Sequence, residues 1–527
     1  MKHTDFVTKE TNPVIKADYP GPDVIRAGDV YYMLSATLHF LPGGAILRSY
    51  DLIRWEIAGY VFGSFDGREE TRMTNERNYY GGGMGPGCIR YHNGRFYVSF
   101  ADRETGRTYF FWADRVEGPW RSGHIDCYFH HGSLFFDEDD RVYLIYGYNE
   151  IRIAELLPDF SGVKPEGFAR TLIEEKEDVW LGYEGTHFYR IRGKYYLFTV
   201  HWPKSGTARK TQLCFWADSL DGEFQGGTVL DDDLDFCNNG VAEGGLVETN
   251  GGSWYALLSQ DRGAAGRSPV LVPVEWEGDR PVFGKGGEVP RTVKAQSNRP
   301  YYEYESLYCS DDFSYRTDDA GHCTFRKPWQ WNHEPDPELW KVSGGVFRIK
   351  TGKVCVNVTQ AANTLTQRLF FPRCNVRLTV DATDLNDGDF AGLCALQGCY
   401  SMLAVTKELH RYYLVRLERK QTEKNKNSKI SDYMPARITE KISLVTPIVR
   451  LKLEADFARG ADTVFFSYRE PREGGKWRRV GEGYRLHFGL DHFAGARCGL
   501  AVFATKKAGG SAAFRNFVYE CEEGNGV

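Results

Sequence analysis

Five stretches of this chain repeat one shape, and that repeat limits the fold more than any other feature. They are GPDVIRAGDVYYML from Gly21, GPGCIRYHNGRFYVSF from Gly85, HGSLFFDEDDRVYLIY from His131, EGTHFYRIRGKYYLF from Glu184 and EGGLVETNGGSWYALL from Glu243. Each reads as a small or polar start, a short strand, a tight turn and a second strand with a central tyrosine. The turns are Ala27-Gly28-Asp29, His92-Asn93-Gly94, Asp137 to Asp140, Arg192-Gly193 and Asn250-Gly251-Gly252. Short Asn, Asp and Gly loops between β-rich runs are hairpin signals. The tyrosines, Tyr32, Tyr97, Tyr143, Tyr196 and Tyr255, recur at intervals of 65, 46, 53 and 59 residues. A hairpin unit of roughly 45–65 residues with no helical period indicates propeller blades.

A propeller sets the innermost strand of each blade at its axis, so the starts of those strands face an axial pocket. The register nominates Gly21, Gly85, His131, Glu184 and Glu243 for that pocket. The repeat ends near Val289-Pro290, and Arg291 to Ser310 reads as a linker. A second β-rich region follows, from about Asp311 to Glu520, with alternating runs such as NVRLTVDATDL and VRLKLEADF. Its length and strand density suit a β-sandwich. The fold expected is therefore all-β: a five-bladed β-propeller over residues 1–300 and a β-sandwich over 301–527. The stretch Lys420 to Lys429, KQTEKNKNSK, reads as a solvated hairpin loop.

With 527 residues the chain is long enough for two or three domains. Its formal net charge of -5 argues against nucleic acid or an anionic membrane as partner. The first residues, MKHTDFVTKETNPV, carry no apolar signal-peptide core, and no run approaches the roughly 18 apolar residues of a membrane span. The 12 cysteines are scattered singly, which fits reduced thiols and a cytoplasmic setting. That setting implies a short imported oligosaccharide as substrate if the protein acts on sugars; a homo-oligomer is compatible. There is no G-x-S-x-G elbow, no P-loop and no dinucleotide fingerprint. The glycine cluster Gly81 to Gly87 precedes no helical pattern, so no cofactor is expected.

At three places the sequence resembles glycoside hydrolase family 43, the β-xylosidase and α-L-arabinofuranosidase group. NPVIKADYPGPDVIRAGDVYYMLSATLHF resembles its opening, YEGTHFYRIRGKYYLF its general-acid segment, and GGLVETNGGSWYALLSQDRGAAGRSPVLVPVEW its last blade. WQWNHEPDPELW, NTLTQR and GDFAGLCALQG resemble the concanavalin-like jelly roll appended to the β-xylosidase branch. The resemblance implies an inverting glycosidase with a general acid of raised pKa, a base, and a third carboxylate that tunes the acid. Carried over position by position, only the acid is kept, as Glu184. The base of the P-D-P motif is Gly21 in Pro20-Gly21-Pro22. The tuning aspartate is His131. The second-blade Trp-Ala-Pro reads Gly85-Pro86-Gly87, and a histidine opening the fifth blade reads Glu243.

Every departure falls on the axial ring. A knock-out would alter one of these positions; the joint change favours a rebuilt pocket, with two glycines enlarging the cavity. In such a pocket Glu243, assisted by His131, replaces the missing base. His131 is open to three roles: base, pKa tuner or sugar hydrogen-bond partner. Asp18 and Asp23 flank Gly21 and are read as serving the backbone turn. Arg267 resembles a family arginine that orients sugar hydroxyls. Phe493 resembles a sandwich loop that closes the pocket. Trp329 and Trp331 are assigned to the sandwich core. No convincing metal ligand set is seen. Two functions stay open: a glycosidase removing a terminal xylose, arabinose or related sugar, or a base-deleted sugar-binding propeller.

Overall fold

The computed structural model describes residues 7–75, 77, 79–420, 434–471, 475–489 and 493–522. Most of the proposed loop Lys420 to Lys429 lies outside them. Five four-stranded antiparallel sheets follow one another along the chain, each made from one continuous stretch. Their inner strands are Asp23–Ala27, Cys88–His92, Ser133–Phe136, Val179–Ile191 and Ala242–Glu248. We call these sheets blades I to V. Each predicted turn joins the inner strand of a blade to its second strand, so the repeat in the sequence is the repeat of blades. No helix among the described residues is long and apolar enough to cross a membrane.

A single carboxylate ties the inner strands together. Asp23 Oδ2 accepts from the Ile89 N–H at 2.8 Å and from Arg90 Nη1 at 2.7 Å, and Oδ1 lies 3.0 Å from His187 Nδ1. Arg90 Nη2 donates onward to Ser133 Oγ at 2.7 Å, and the Gly245 N–H donates to the Pro22 carbonyl at 2.9 Å. Blades I to V are thereby joined at the axis. Burial alone would push the Asp23 carboxyl up, but Arg90, His187 and the Ile89 N–H outweigh it and hold it well below the usual range. Gly245 is required here, because a Cβ on it would lie 2.6 Å from Asp23 Oδ1.

Two eight-stranded sheets form the sandwich. In one, Arg373–Asp381 and Ile448–Asp456 alternate between buried and more exposed residues, as a strand with one face on the core must. In the other, Asp389–Leu396 and Arg497–Ala504 are buried at every position. Their second face packs under Leu38, Phe40 and Tyr80 of the propeller and the segment around Val358.

The two domains share this sheet. Phe40–Leu41, from blade I, is its edge strand and pairs with Gln330–Asn332, placing Leu41 opposite Trp331. Trp329 and Trp331 are buried in a core that also holds Ile15, Ala17 and Tyr19 of the propeller. Trp331 is therefore both core and domain contact. The supposed linker is not wholly irregular: Thr292–Gln296 pairs with Val7–Thr11. Asp18 completes the joint, Oδ1 accepting from the Arg267 N–H at 2.9 Å and Oδ2 from the Gly495 N–H at 2.8 Å. Arg497 is buried over the Phe40 ring at 3.5 Å, and burial together with the Arg368 cation lowers its pKa to about 9.

A chain ended at residue 300 would bare Tyr19, Phe40 and Leu41, all at most 1% exposed in the intact protein. Each costs about 1.5–3 kcal/mol to expose, a large share of the roughly 5–15 kcal/mol that stabilises a domain. The truncated propeller is expected to aggregate. Soluble yield and size-exclusion chromatography check this; a monodisperse product with full-length kinetics would contradict it.

Candidate active site

The inner strand of blade IV is longer than the repeat implies. Val179–Ile191 begins five residues before Glu184, so Glu184 sits within the strand rather than at its start. Its backbone carbonyl accepts from Thr199 Oγ1 at 2.5 Å, fixing the strand beneath the side chain. The carboxylate is partly buried, and Oε2 lies 2.9 Å from His130 Nε2. Tyr128 Oη, 2.8 Å from His130 Nδ1, orients that ring. His130 and His131 stack with centroids 4.2 Å apart and planes 9° from parallel. His131 is anchored through its carbonyl, which accepts from Thr186 Oγ1 at 2.7 Å, while its Nδ1 is buried without a hydrogen-bond partner.

Glu243 comes close from blade V. A Cβ on Gly185 would stand 3.2 Å from Glu243 Cγ, so the residue after Glu184 leaves room for the second glutamate. The Glu243 N–H donates to Gln212 Oε1 at 2.9 Å. Its Oε2 is 3.9 Å from Arg267 Nη1, and its Oε1 is buried without a hydrogen-bond partner. Arg267 in turn lies under Phe493, with its guanidinium carbon 5.6 Å from the ring centroid and Nη2 3.4 Å from the Phe493 carbonyl. His131, Glu243 and Phe493 all adopt positive φ, at 45°, 70° and 51°. Non-glycine residues in that region carry strain that the surrounding structure must hold.

Glu184, His131, Glu243, Arg267 and Phe493 thus belong to one neighbourhood. The electrostatics differ from those of a family acid. Burial alone would raise the Glu184 carboxyl, but His131, His130 and Lys210 outweigh it, and the net shift is downward. His131 is the largest of these, and it stands where a carboxylate would instead repel the charge on Glu184. Burial also pushes His131 down, against the pull of Glu184.

The two glycines behave differently. Gly21 is at φ 58°, and a Cβ there would lie 2.9 Å from Pro86 Cβ and 3.3 Å from its Cγ. The pyrrolidine of Pro86 occupies the space where a side chain at 21 would begin, so Gly21 does not enlarge the cavity. At Gly85 a Cβ would meet nothing nearer than the Ala101 carbonyl oxygen at 3.9 Å, so only this glycine opens space. Asp18 and Asp23 are committed to the bonds described above.

His130 was not singled out by the repeat, although it directly precedes the axial position. With His131 and Glu184 it forms a set whose possible ligand atoms lie within 4.8 Å of one another. The sequence offered no such set. His130 Nε2 is already hydrogen-bonded to the Glu184 carboxylate, so the three residues form a hydrogen-bonded cluster around that acid.

Residues 10–281, just over half of the chain, match Glycosyl hydrolases family 43. The chain belongs to that family. Residues 322–520 match the Beta xylosidase C-terminal Concanavalin A-like domain. A Formosa agariphila protein named Beta-xylosidase is 26% identical over 76% of this chain and 75% of its own length. A Butyrivibrio fibrisolvens Xylosidase/arabinosidase is 27% identical over 57% of this chain and 61% of its own. A solved Bacteroides eggerthii structure described as a bifunctional GH43-CE is 36% identical with a TM-score of 0.88, and the match covers 98% of this chain and 64% of that one. The chain thus spans under two thirds of the length of some of these family-43 relatives.

Proposed function

We propose that the protein is a glycosidase that removes a terminal pentose, xylose or arabinose, from short oligosaccharides. Relatives named as xylosidases and arabinosidases support the substrate class. The observation that carries the proposal is the meeting of Glu184 with Glu243, Arg267 and Phe493 at the propeller axis. In this reading Glu184 gives its proton to the glycosidic oxygen as the bond from that oxygen to the anomeric carbon breaks. Glu243 takes a proton from the water whose oxygen bonds to that carbon. Arg267 holds sugar hydroxyls, and Phe493 closes the pocket from the sandwich. The 12 free thiols support a reducing compartment, in keeping with a cytoplasmic enzyme.

A second reading has its own observation. Pro86 fills the space beside Gly21, so the usual base position is closed, as it would be in a propeller that binds sugar without cleaving it. Chromogenic pentosides and sugar-induced thermal shifts separate the two. Turnover of 4-nitrophenyl xyloside or arabinofuranoside is expected; a thermal shift with no turnover would favour the binding protein.

A further inference from the structure

Blade IV carries an arm that its catalytic residue does not need. Val179–Ile191 and Lys194–Pro203 stay paired past Glu184, with Leu181 opposite Trp202 and Val179 opposite Pro203. The third strand of the blade stops earlier, where Thr211 meets His201. Beyond that point blade IV continues as a two-stranded ribbon, flanked on the blade III side by Asn149, whose N–H donates to the Tyr183 carbonyl at 2.9 Å. The ribbon bears Trp180, 66% exposed, and Trp202, 39% exposed. Of the 12 tryptophans these are the only exposed ones. Exposed indole forgoes about 1.5–3 kcal/mol of burial, so two on one short ribbon call for an explanation other than packing.

Both rings are held in place. Trp202 Nε1 donates to the Ala208 carbonyl at 2.7 Å. Lys204 Nζ lies 5.3 Å from the Trp180 centroid and is pinned by Asp178 at 2.5 Å. The ribbon runs directly into the strand of Glu184, and at about 3.3 Å per residue Trp180 stands about 13 Å from it along the strand. On the blade III side Tyr148, 47% exposed, stands edge-on to His130 at 5.8 Å. A proton donor faces the leaving group, so this ribbon lies along the leaving side of the pocket.

We infer that the Trp180–Trp202 ribbon is a stacking platform for the leaving-side pyranose rings of an oligosaccharide longer than a disaccharide. The inference rests on Glu184 being the proton donor. A neutral pyranose chain suits the site, because flat, fixed aromatic faces accept sugar rings and no cluster of free charge is needed. The platform makes the protein chain-length selective.

The test compares wild type with Trp180→Ala, Trp202→Ala and the double variant, using 4-nitrophenyl xyloside, xylobiose and xylohexaose. The double variant is expected to lose about tenfold or more in kcat/KM on xylohexaose. The nitrophenyl xyloside, which does not reach the ribbon, should keep its rate. Calorimetric titration with xylohexaose should show the same loss in affinity. No turnover of any substrate, with hexaose binding that still depends on the tryptophans, would sink the glycosidase reading and keep the platform. Turnover and binding indifferent to chain length and to both substitutions would overturn the platform. So would a ribbon variant that changes only self-association in size-exclusion chromatography, since the occupant would then be a second copy of the chain.

Discussion

Glu184→Gln is expected to lower kcat/KM on unactivated xylo-oligosaccharides by about 10²–10⁴-fold, the usual worth of general acid catalysis. On 4-nitrophenyl glycosides the loss should be far smaller, because nitrophenolate departs without being protonated. The amide keeps the size of the side chain and can still meet His130, 2.9 Å away, so the pocket should hold its shape. Steady-state kinetics on both substrate types is the check, and equal losses would give Glu184 another role. The same site makes a pH prediction. The acid must be protonated, so activity is lost as pH rises through its pKa. His130, His131 and Lys210 hold that pKa down against burial. His131→Asp replaces an imidazole with a like charge, which raises the Glu184 pKa. The basic limb of the kcat/KM profile should then move to higher pH; a limb that stays put would mean that position 131 does not tune the acid.

The parts of this site that could be read in the sequence were those repeated at a fixed register. The turns at Asn93-Gly94, Arg192-Gly193 and Asn250-Gly251 announce hairpins by local chemistry, and five copies fix the axis. Glu184, His131 and Glu243 followed from that register, and Arg267 and Phe493 from family resemblance. Contacts that depend on residues far apart carried no such signal. Phe40–Leu41 is only two residues long and pairs with a strand some 290 positions away, so no pattern in the sequence marks it as a stitch between domains. The role of Asp23 could have been inferred, since Arg90 and His187 lie on other inner strands and offer a buried carboxylate its partners. The downward shift at Glu184 comes from His131 and also from His130 and Lys210; the His130 share could not be read from sequence, because its approach depends on ring stacking and a bond from Tyr128.

Restoring the family aspartate should not restore a family enzyme. Gly21→Asp alone is expected to destabilise the protein by about 1–3 kcal/mol, the common cost of overpacking, without raising activity. Its Cβ would stand 2.9 Å from Pro86 Cβ, and position 21 is held at φ 58°, where a side chain adds strain. Because the clash is with a ring fixed to the backbone, rotating a side chain cannot relieve it. The double variant Gly21→Asp/Pro86→Gly frees the space and gives the restored carboxylate a fair test. If the protein were a crippled enzyme awaiting its base, this double variant would gain strong pentosidase activity and Glu243→Gln would change nothing. The arrangement around Glu243 points the other way. Its Oε1 is buried without a hydrogen-bond partner, its Oε2 is 3.9 Å from Arg267, and its backbone is held at φ 70° by a bond to Gln212. Leaving a buried carboxylate oxygen unpaired costs about 1–3 kcal/mol or more, a cost without return unless that oxygen meets substrate or water. Glu243→Gln is therefore expected to cut turnover of pentosides at least 10²-fold, on aryl glycosides as well as oligosaccharides, since water must be activated whatever the leaving group. Thermal melts of all three variants, measured beside their kinetics, separate loss of fold from loss of chemistry. A Glu243→Gln protein as active as wild type, beside an activated double variant, would show that the pocket lost its base and never replaced it.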